Sequence, residues 1–137
     1  MYNQNDLLIT EVKGMQRQFL IGKIHRAVVT GRDVHYVGSV SIDPEVMKAA
    51  GILTWERVQV VDVDNGARLE TYAIPGESGQ IQLNGAAAHL VNLHDRVIIM
   101  SYGWLNEDEI ASHCPRVAIM DEQNRVVEVR LLEPSSE

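Results

Sequence analysis

Short runs of β-branched and other apolar residues, separated by Asn-Gly turns, recur along this chain. The clearest case is ERVQVVDVDNGARLETYAI, residues 56–74, where two alternating runs flank Asn65-Gly66. This dipeptide tolerates positive φ at both turn positions, so the segment is predicted to form a β-hairpin. A second Asn-Gly pair follows the strand-like run of QIQLNGAAAHL, residues 80–90. A chain punctuated in this way is expected to be mainly β.

Four further segments are rich in the residue types that favour strands. These predicted strands lie at residues 19–31 (one strand or a bent pair), 35–42, 96–105 and 115–132, the last a hairpin turning at 122–124. Helix is predicted only in two short pieces, residues 43–51 and 106–113. Many short strands with little helix predict a small closed β-barrel.

The helix at residues 43–51 carries clear end signals. Asp43 is the expected N-cap because its side chain can accept from the first free backbone N–H groups, and Pro44 suits the first helical position. Gly51 is the expected C-cap.

Length and charge limit the domain count and the partners. The 137 residues predict one domain at 15–132, with an N-terminal extension at 1–14 and a flexible tail at 133–137. A net charge of -7 argues against a nucleic-acid partner and against docking on an anionic membrane. Cys114 is the only cysteine, which excludes an intramolecular disulfide. With no signal-like N-terminus, the chain is expected in the cytoplasm.

Common catalytic motifs are missing from the sequence. The five histidines form no H-x-x-x-H pair and no C-x-x-C exists, so no metal site is expected. Neither a G-x-S-x-G elbow nor a phosphate-binding glycine loop is present. A serine hydrolase built on Ser39 and His35 stays open as an alternative, since sequence proximity does not establish geometry.

The unusual feature is Gly38-Ser39 in the middle of the predicted strand HYVGSVSI. Glycine weakens a strand interior because it adds backbone entropy and packs nothing. Either the chain bulges here, or this bond is meant to be broken.

Several motifs, in this order, resemble the family of pyruvoyl-dependent aspartate 1-decarboxylases. They are GKIHRA at 22–27, HYVGS at 35–39, AAGI at 49–52, the hairpin turn at 65–66, ETYAI at 70–74 and NGAAAH at 84–89. The resemblance covers residues 15 to about 132. It departs from the family at Val37, where many members carry an acidic residue, and in residues 1–14, which lie outside the pattern.

The resemblance implies a six-stranded double-psi β-barrel with short helices, assembled as a homotetramer of cleaved chains with sites between subunits. The uncleaved chain would be a zymogen that cleaves itself between Gly38 and Ser39 and leaves a pyruvoyl group at position 39. L-Aspartate would form a Schiff base there and yield β-alanine, a pantothenate precursor, and carbon dioxide. This lyase needs no metal and no pyridoxal phosphate. Whether a helper protein assists maturation is open.

The resemblance also implies roles for individual residues. Ser39 is the pyruvoyl precursor, Gly38 the other side of the cleaved bond, Thr71 the group that holds its carbonyl, and Tyr72 the proton donor. The implied substrate-binding residues are Lys23, Arg68, Asn84, Gly85, Ala86 and Ala87, and the accessory residues are His25 and Tyr36.

Two alternatives remain beside the decarboxylase. One is a non-cleaving barrel of the same fold that serves a binding or structural role. The other is a pyruvoyl enzyme for a different acidic amino acid, because Lys23 and Arg68 indicate an anionic substrate but not its length.

Overall fold

The structure is a computed structural model that describes residues 14–135. Most of the predicted extension at 1–14, and the last two residues of the predicted tail, lie outside the described residues. The strands are β1 (Arg17–Val28), β2 (Gly31–Asp33), β3 (Val40–Ile42), β4 (Arg57–Asp62), β5 (Arg68–Pro75), β6 (Ile81–Asn84), β7 (Arg96–Leu105), β8 (Arg116–Met120) and β9 (Val126–Leu131). The helices are α1 (Pro44–Ala50), a 3-10 helix (Gly85–Leu90) and α2 (Glu107–Ile110).

All nine strands of the described residues pair in one sheet, in the order β2-β6-β3-β5-β4-β7-β1-β8-β9. Three neighbouring pairs are parallel, namely β1 with β8, β2 with β6 and β3 with β5. The long strand β1 has register shifts between Leu20 and Gly22 and between Ile24 and Ala27, which are positions where a strand can bend. The prediction of a mainly β chain with short helices is confirmed.

Helix α1 forms as its end signals predict. The side chain of Asp43 accepts from the backbone N–H of Glu45 over 2.8 Å, and Gly51 ends the helix in the left-handed conformation at φ 72°. The last turn of α1 packs on Gly22, where an added Cβ would collide with the carbonyl of Ala50. Glycine at position 22 therefore lets the helix lie directly on strand β1.

The two predicted hairpins are present. In the first, strands β4 and β5 pair in antiparallel fashion, and the pair next to the turn is Val61 with Arg68. Their connection is five residues long, and of the Asn-Gly pair only Gly66 takes a positive φ, at 78°. Asn65 instead accepts the backbone N–H of Ala67 on its side chain over 2.8 Å. The β8–β9 hairpin turns where expected, with Asn124 at φ 59°.

One predicted strand is wrong in extent. The run HYVGSVSI forms strand only at Val40–Ile42, and residues 34–39 are turn, bend or without regular structure. The reason is local, because Gly38 and Ser39 both have positive φ, at 47° and 83°, which an extended strand does not allow. The segment 19–31 takes the second form expected for it, with β1 ending at Val28 and β2 starting at Gly31.

The core is built from aliphatic side chains that alternate along the central strands. Fully buried members are Ile24, Val40, Ile42, Val58, Val60, Ile81, Leu83, Val97 and Ile99. Their period of two leaves the other face of β5, β4, β7 and β1 partly exposed, with polar and apolar side chains mixed on it. Among the described helices, none is long and apolar enough to cross a membrane.

Candidate active site

The Gly38–Ser39 bond lies in the bend that leads into β3. Ser39 is a buried, non-glycine residue at φ 83°, with 1% of its surface exposed. Positive φ in a non-glycine residue is strained by about 1–3 kcal/mol and persists only where the surroundings enforce it. The bend therefore places a residue with a strained backbone conformation, directly after the Gly38–Ser39 bond, in the protein interior.

Both neighbours of β3 hold Ser39 in this conformation. From β5, the hydroxyl oxygen of Thr71 accepts the backbone N–H of Ser39 over 3.1 Å. From β6, the backbone N–H of Asn84 donates to the Ser39 carbonyl over 2.9 Å. Thr71 thus contacts the nitrogen side of the Gly38–Ser39 bond, whereas the resemblance implied contact with its carbonyl.

The side chain of Asn84 reaches the serine hydroxyl itself. Its Nδ2 donates to Ser39 Oγ over 3.0 Å and to Ser41 Oγ over 3.0 Å. Asn84 is 1% exposed, so these hydrogen bonds form away from solvent, where they count for more than at the surface. Sequence reasoning named Asn84 but missed Ser41, whose hydroxyl accepts from the same amide group.

Gly85 packs directly on the cleavage segment. It has φ 69°, and an added Cβ would lie 2.8 Å from the backbone nitrogen of Gly38 and 3.1 Å from the carbonyl oxygen of Tyr36. Any side chain at this position would push the bend away. Ala86 and Ala87 follow in the first turn of the 3-10 helix, Ala86 exposed and Ala87 half-buried.

An open pocket of about 440 Å³ lies beside Ser39. Its lining residues are His35, Tyr36, Val37, Ser39, Trp55, Tyr72 and Ile74. The hydroxyl of Tyr72 is 3.3 Å from the point where a Cβ on Gly38 would sit, so the phenol faces the cleavage bond. This pocket brings together the predicted residues Ser39, Tyr72 and Tyr36.

Trp55 is a pocket residue that sequence reasoning missed. Its indole ring lies 5.8 Å from the ring of Tyr72, and its backbone N–H donates to the carbonyl of Ala73 over 2.8 Å. It is 72% exposed, which is unusual for tryptophan. A lone aromatic residue in a loop carries no periodic signal, so the sequence did not single it out.

The two predicted carboxylate-binding cations lie outside this pocket. Arg68 is four residues before Tyr72 on β5, and its guanidinium donates to the side chain of Gln59 over 3.3 Å. Lys23 on β1 is opposite Met100, which is opposite Gln59 on β4. Because directly paired residues share a face, Lys23 and Gln59 project from one side of the sheet.

Strand β5 contributes three residues to the same side. Glu70 pairs with Gln59 and therefore lies on it. Arg68 and Tyr72 lie there too, because they are two residues before and two residues after Glu70 on the strand.

His25 lies on β1 with its Nδ1 buried and without a hydrogen-bond partner among the described residues. Burial, followed by the charges of Lys23 and Arg26, lowers the pKa of His25 below its usual value. The imidazole is therefore neutral at pH 7. The structure places it near Lys23 and not among the residues that line the Ser39 pocket.

A separate group of carboxylates lies at the far end of β4. Oxygens of Asp62, Asp64 and Asp95 are all within 4.8 Å of one another. Burial, followed by a hydrogen bond with the carboxyl of Asp95, raises the pKa of Asp62 to about 6, and the same contact lowers the pKa of Asp95. Asp62 therefore keeps its proton to a higher pH than an ordinary aspartate, which sequence reasoning did not anticipate.

Comparison with known proteins agrees with the resemblance seen in the sequence. Residues 15–127 match the family model described as aspartate decarboxylase. A protein of Clostridium beijerinckii named aspartate 1-decarboxylase is 56% identical over 112 residues, which cover 80% of this chain and 90% of the relative. Proteins of the same name from Bacillus velezensis and Bacillus subtilis are each 50% identical over 123 residues, 88% of this chain and 97% of each relative.

The fold, the strained serine and these relatives define the class as a carboxy-lyase. The chain belongs to the aspartate decarboxylase family, and the family predicted from the sequence motifs is confirmed.

Proposed function

We propose that this chain converts L-aspartate to β-alanine and carbon dioxide at a pyruvoyl group that it makes from its own Ser39. Membership of the aspartate decarboxylase family supports the reaction. The observation that carries the site is a buried serine in a strained backbone conformation, held by Thr71 and Asn84. β-Alanine of this origin would feed pantothenate biosynthesis in the cytoplasm.

Self-cleavage would proceed in three steps on the chain's own atoms. Ser39 Oγ bonds to the Gly38 carbonyl carbon, the C–N bond breaks, and the hydroxyl proton ends on the freed nitrogen, which gives an ester. The Ser39 Cα proton then passes to water and the Cβ–Oγ bond breaks, so that Oγ leaves with its electron pair as part of the Gly38 carboxylate. Water adds to the remaining dehydroalanine, and ammonia departs as residue 39 becomes the pyruvoyl group.

The local structure suits these steps. The positive φ of Ser39, the residue after the bond, stores strain that cleavage releases, whereas Gly38 takes a positive φ without cost. Thr71 holds the departing nitrogen through its hydroxyl oxygen, and the contact with the Gly38 carbonyl that the resemblance implies would need this trans peptide to turn over. Gly85 lets the 3-10 helix press on the bend and keeps it in place.

The pyruvoyl group would supply the electron sink for the carbanion that forms when an amino acid loses carbon dioxide, and no ordinary side chain can do this. Neither a metal nor pyridoxal phosphate is required. Tyr72 would donate the proton to the substrate Cα, since its hydroxyl faces the position of Ser39. Asn84, Gly85, Ala86 and Ala87 would line the substrate side, with Tyr36 as an accessory residue at the pocket wall.

Arg68 and Lys23 would bind substrate carboxylate from a neighbouring copy of the chain. Both side chains lie outside the pocket of their own chain, on the partly exposed side of the sheet, and this supports the assignment. Arg68 offers a bidentate fork and Lys23 a point charge, with the neutral His25 as an accessory group beside them. The assembly would be a homotetramer of cleaved chains. Each chain would form a six-stranded double-psi barrel, and the parallel pairs among the nine strands support a barrel with crossing connections.

The test is the intact mass of purified protein under denaturing conditions, followed by carbon dioxide release from L-aspartate. We expect fragments 1–38 and 39–137, the second lighter by one ammonia than simple hydrolysis would give. Ser39→Ala is the matched control and should stay a single inactive chain. Cleavage or decarboxylation by Ser39→Ala would rule out this mechanism. An uncleaved parent chain, even after incubation with cell extract, would favour the non-cleaving barrel.

A panel of acidic amino acids separates aspartate from a different acidic substrate. L-Aspartate should turn over faster than L-glutamate and longer homologues. A faster reaction with one of these would reassign the substrate while leaving the self-cleavage intact.

A further inference from the structure

Three side-chain amides form a hydrogen-bonded series along one side of β6. Gln80 Nε2 donates to Gln82 Oε1 over 3.2 Å, and Gln82 Nε2 donates to Asn84 Oδ1 over 2.9 Å. Asn84 Nδ2 then donates to Ser39 Oγ over 3.0 Å. The residues are two apart, so the pleat of the strand places all three side chains on the same side.

The direction of this series is determined at its far end. The backbone N–H of Glu77 donates to Gln80 Oε1 over 2.7 Å, and a backbone N–H can only donate. The Gln80 amide must therefore turn its NH₂ toward Gln82, and Gln82 must turn its own NH₂ toward Asn84. As a result Asn84 presents a donor, not an acceptor, to Ser39 Oγ.

Two glycines make room for the glutamine side chains. A Cβ on Gly31, which pairs with Gln82 across β2 and β6, would lie 2.5 Å from Gln82 Oε1. A Cβ on Gly76 would collide with Gln80 Oε1. Neither glycine has a positive φ, so their role here is space and not backbone conformation. The neighbouring strand and loop are thus shaped around the amide series.

We propose that Gln82 is a positioning residue for self-cleavage, acting through Asn84 to keep a hydrogen-bond donor on Ser39 Oγ. The inference rests on the proposed function. Negative charge develops on Oγ when the Cβ–Oγ bond of the ester breaks, and a donor already in place stabilises that charge. Without Gln82, the Asn84 amide is free to rotate and accept from the hydroxyls of Ser39 and Ser41, which leaves the departing oxygen without a donor.

The test follows cleavage of freshly purified precursor over time by intact mass. Gln82→Met keeps the length of the side chain but removes the donor, and should slow cleavage on the order of tenfold or more, as for other buried donors to a developing oxyanion. Gln123→Met, at an exposed turn, is the matched control and should cleave at the parental rate. Because the loss falls on elimination, uncleaved Gln82→Met chain should accumulate as ester, which hydroxylamine splits into fragments.

A double-mutant comparison separates positioning from general destabilisation. Asn84→Ala should slow cleavage at least as much as Gln82→Met, and the double variant should be no slower than Asn84→Ala alone, since Gln82 acts only through Asn84. Gly31→Ala offers an independent route, because its methyl group should displace the flexible Gln82 amide without touching Ser39. It should reproduce the ester accumulation in a chain whose own Gln82 is intact.

The outcomes distinguish this inference from the proposed function. If the parent cleaves and both Gln82→Met and Gly31→Ala cleave at the parental rate, only the role of Gln82 is overturned. Additive slowing in the double variant, or slow cleavage without hydroxylamine-sensitive ester, does the same. A parent that never cleaves overturns the proposed function, and the role of Gln82 with it.

Discussion

The backbone N–H of Ser39 donates to the side-chain hydroxyl of Thr71, over 3.1 Å, and not to a backbone carbonyl of the neighbouring strand β5. Strands β3 and β5 begin to pair only at the next residue, Val40, which lies opposite Ala73. The amide of the bond to be cleaved is thus held by a group that can both accept and donate. A backbone carbonyl in the same place could only accept.

Replacing Thr71 by Val should slow self-cleavage on the order of tenfold, because the Ser39 N–H loses its acceptor and the bend loses a hydrogen bond worth about 1–1.5 kcal/mol. Valine keeps the shape of threonine but offers no hydroxyl, so the fold should persist. Thr71→Ser, which keeps the hydroxyl, is the control and should cleave within a few-fold of the parent. Intact mass against time gives both rates, and equal rates for Val and Ser would show that the Thr71 hydroxyl does not assist cleavage.

Removing the hydroxyl of Tyr72 should separate maturation from turnover. Phenylalanine keeps the ring that stacks 5.8 Å from Trp55, so Tyr72→Phe should fold and cleave. Loss of a positioned proton donor should lower kcat by about 10²–10⁴-fold. Carbon dioxide release from fully cleaved protein measures this, and undiminished turnover would assign the proton donor to another group.

A methyl group at position 85 should disable the cleavage segment. In Gly85→Ala the new Cβ would meet the backbone of Gly38 at 2.8 Å, and φ is 69°. Gly66→Ala is a matched control, because Gly66 has φ 78° with open space around it. The control should lose only the left-handed backbone cost of about 1–2 kcal/mol in urea unfolding, and should still cleave. We expect Gly85→Ala to lose more stability and to remain uncleaved, and cleavage at the parental rate would contradict this.

Local signals explain which parts of the fold could be predicted. Asp43 and Gly51 mark the two ends of helix α1 in the sequence, and turn residues mark the position of each hairpin. The parallel pairs have no such signal, because β3 and β5 are joined through α1 and β4 and their pairing depends on the whole core. Val40 and Ile42 continue the apolar alternation and predict a strand, while Gly38 indicates a possible bulge, but the sequence does not show that Ser39 itself takes a positive φ.

The candidate site divides in the same way. Ser39, Thr71, Tyr72 and Asn84 lie in motifs that could be recognised, and the structure brings them together. Trp55 and Gln82 belong to no motif and were found only from their contacts. Arg68 and Lys23 are predicted to bind substrate carboxylate at a site between subunits, and within one chain they do not line the Ser39 pocket.

The Asp62–Asp95 pair predicts that stability falls as pH rises. Burial and the hydrogen bond with Asp95 raise the pKa of Asp62 to about 6 from 3.8, so between these values the folded chain binds more protons than the unfolded chain. Stability therefore declines from about pH 4 to pH 6, by at most about 3 kcal/mol for this shift. The lowered pKa of Asp95 acts in the opposite direction, and its effect lies below the usual aspartate range.

Asp62→Asn should remove this decline, because an amide imitates the protonated acid. Its oxygen can still accept the backbone N–H groups of Asp64 and Asn65, and its NH₂ can donate to Asp95 at any pH. Urea unfolding in a Ser39→Ala background, at fixed protein concentration, should find the variant about 1–2 kcal/mol more stable than the parent at pH 8 and similar at pH 4. Asp64→Asn, exposed and outside the Asp62–Asp95 hydrogen bond, should keep the parental decline, and a parallel pH profile for Asp62→Asn would show that Asp62 does not hold the proton.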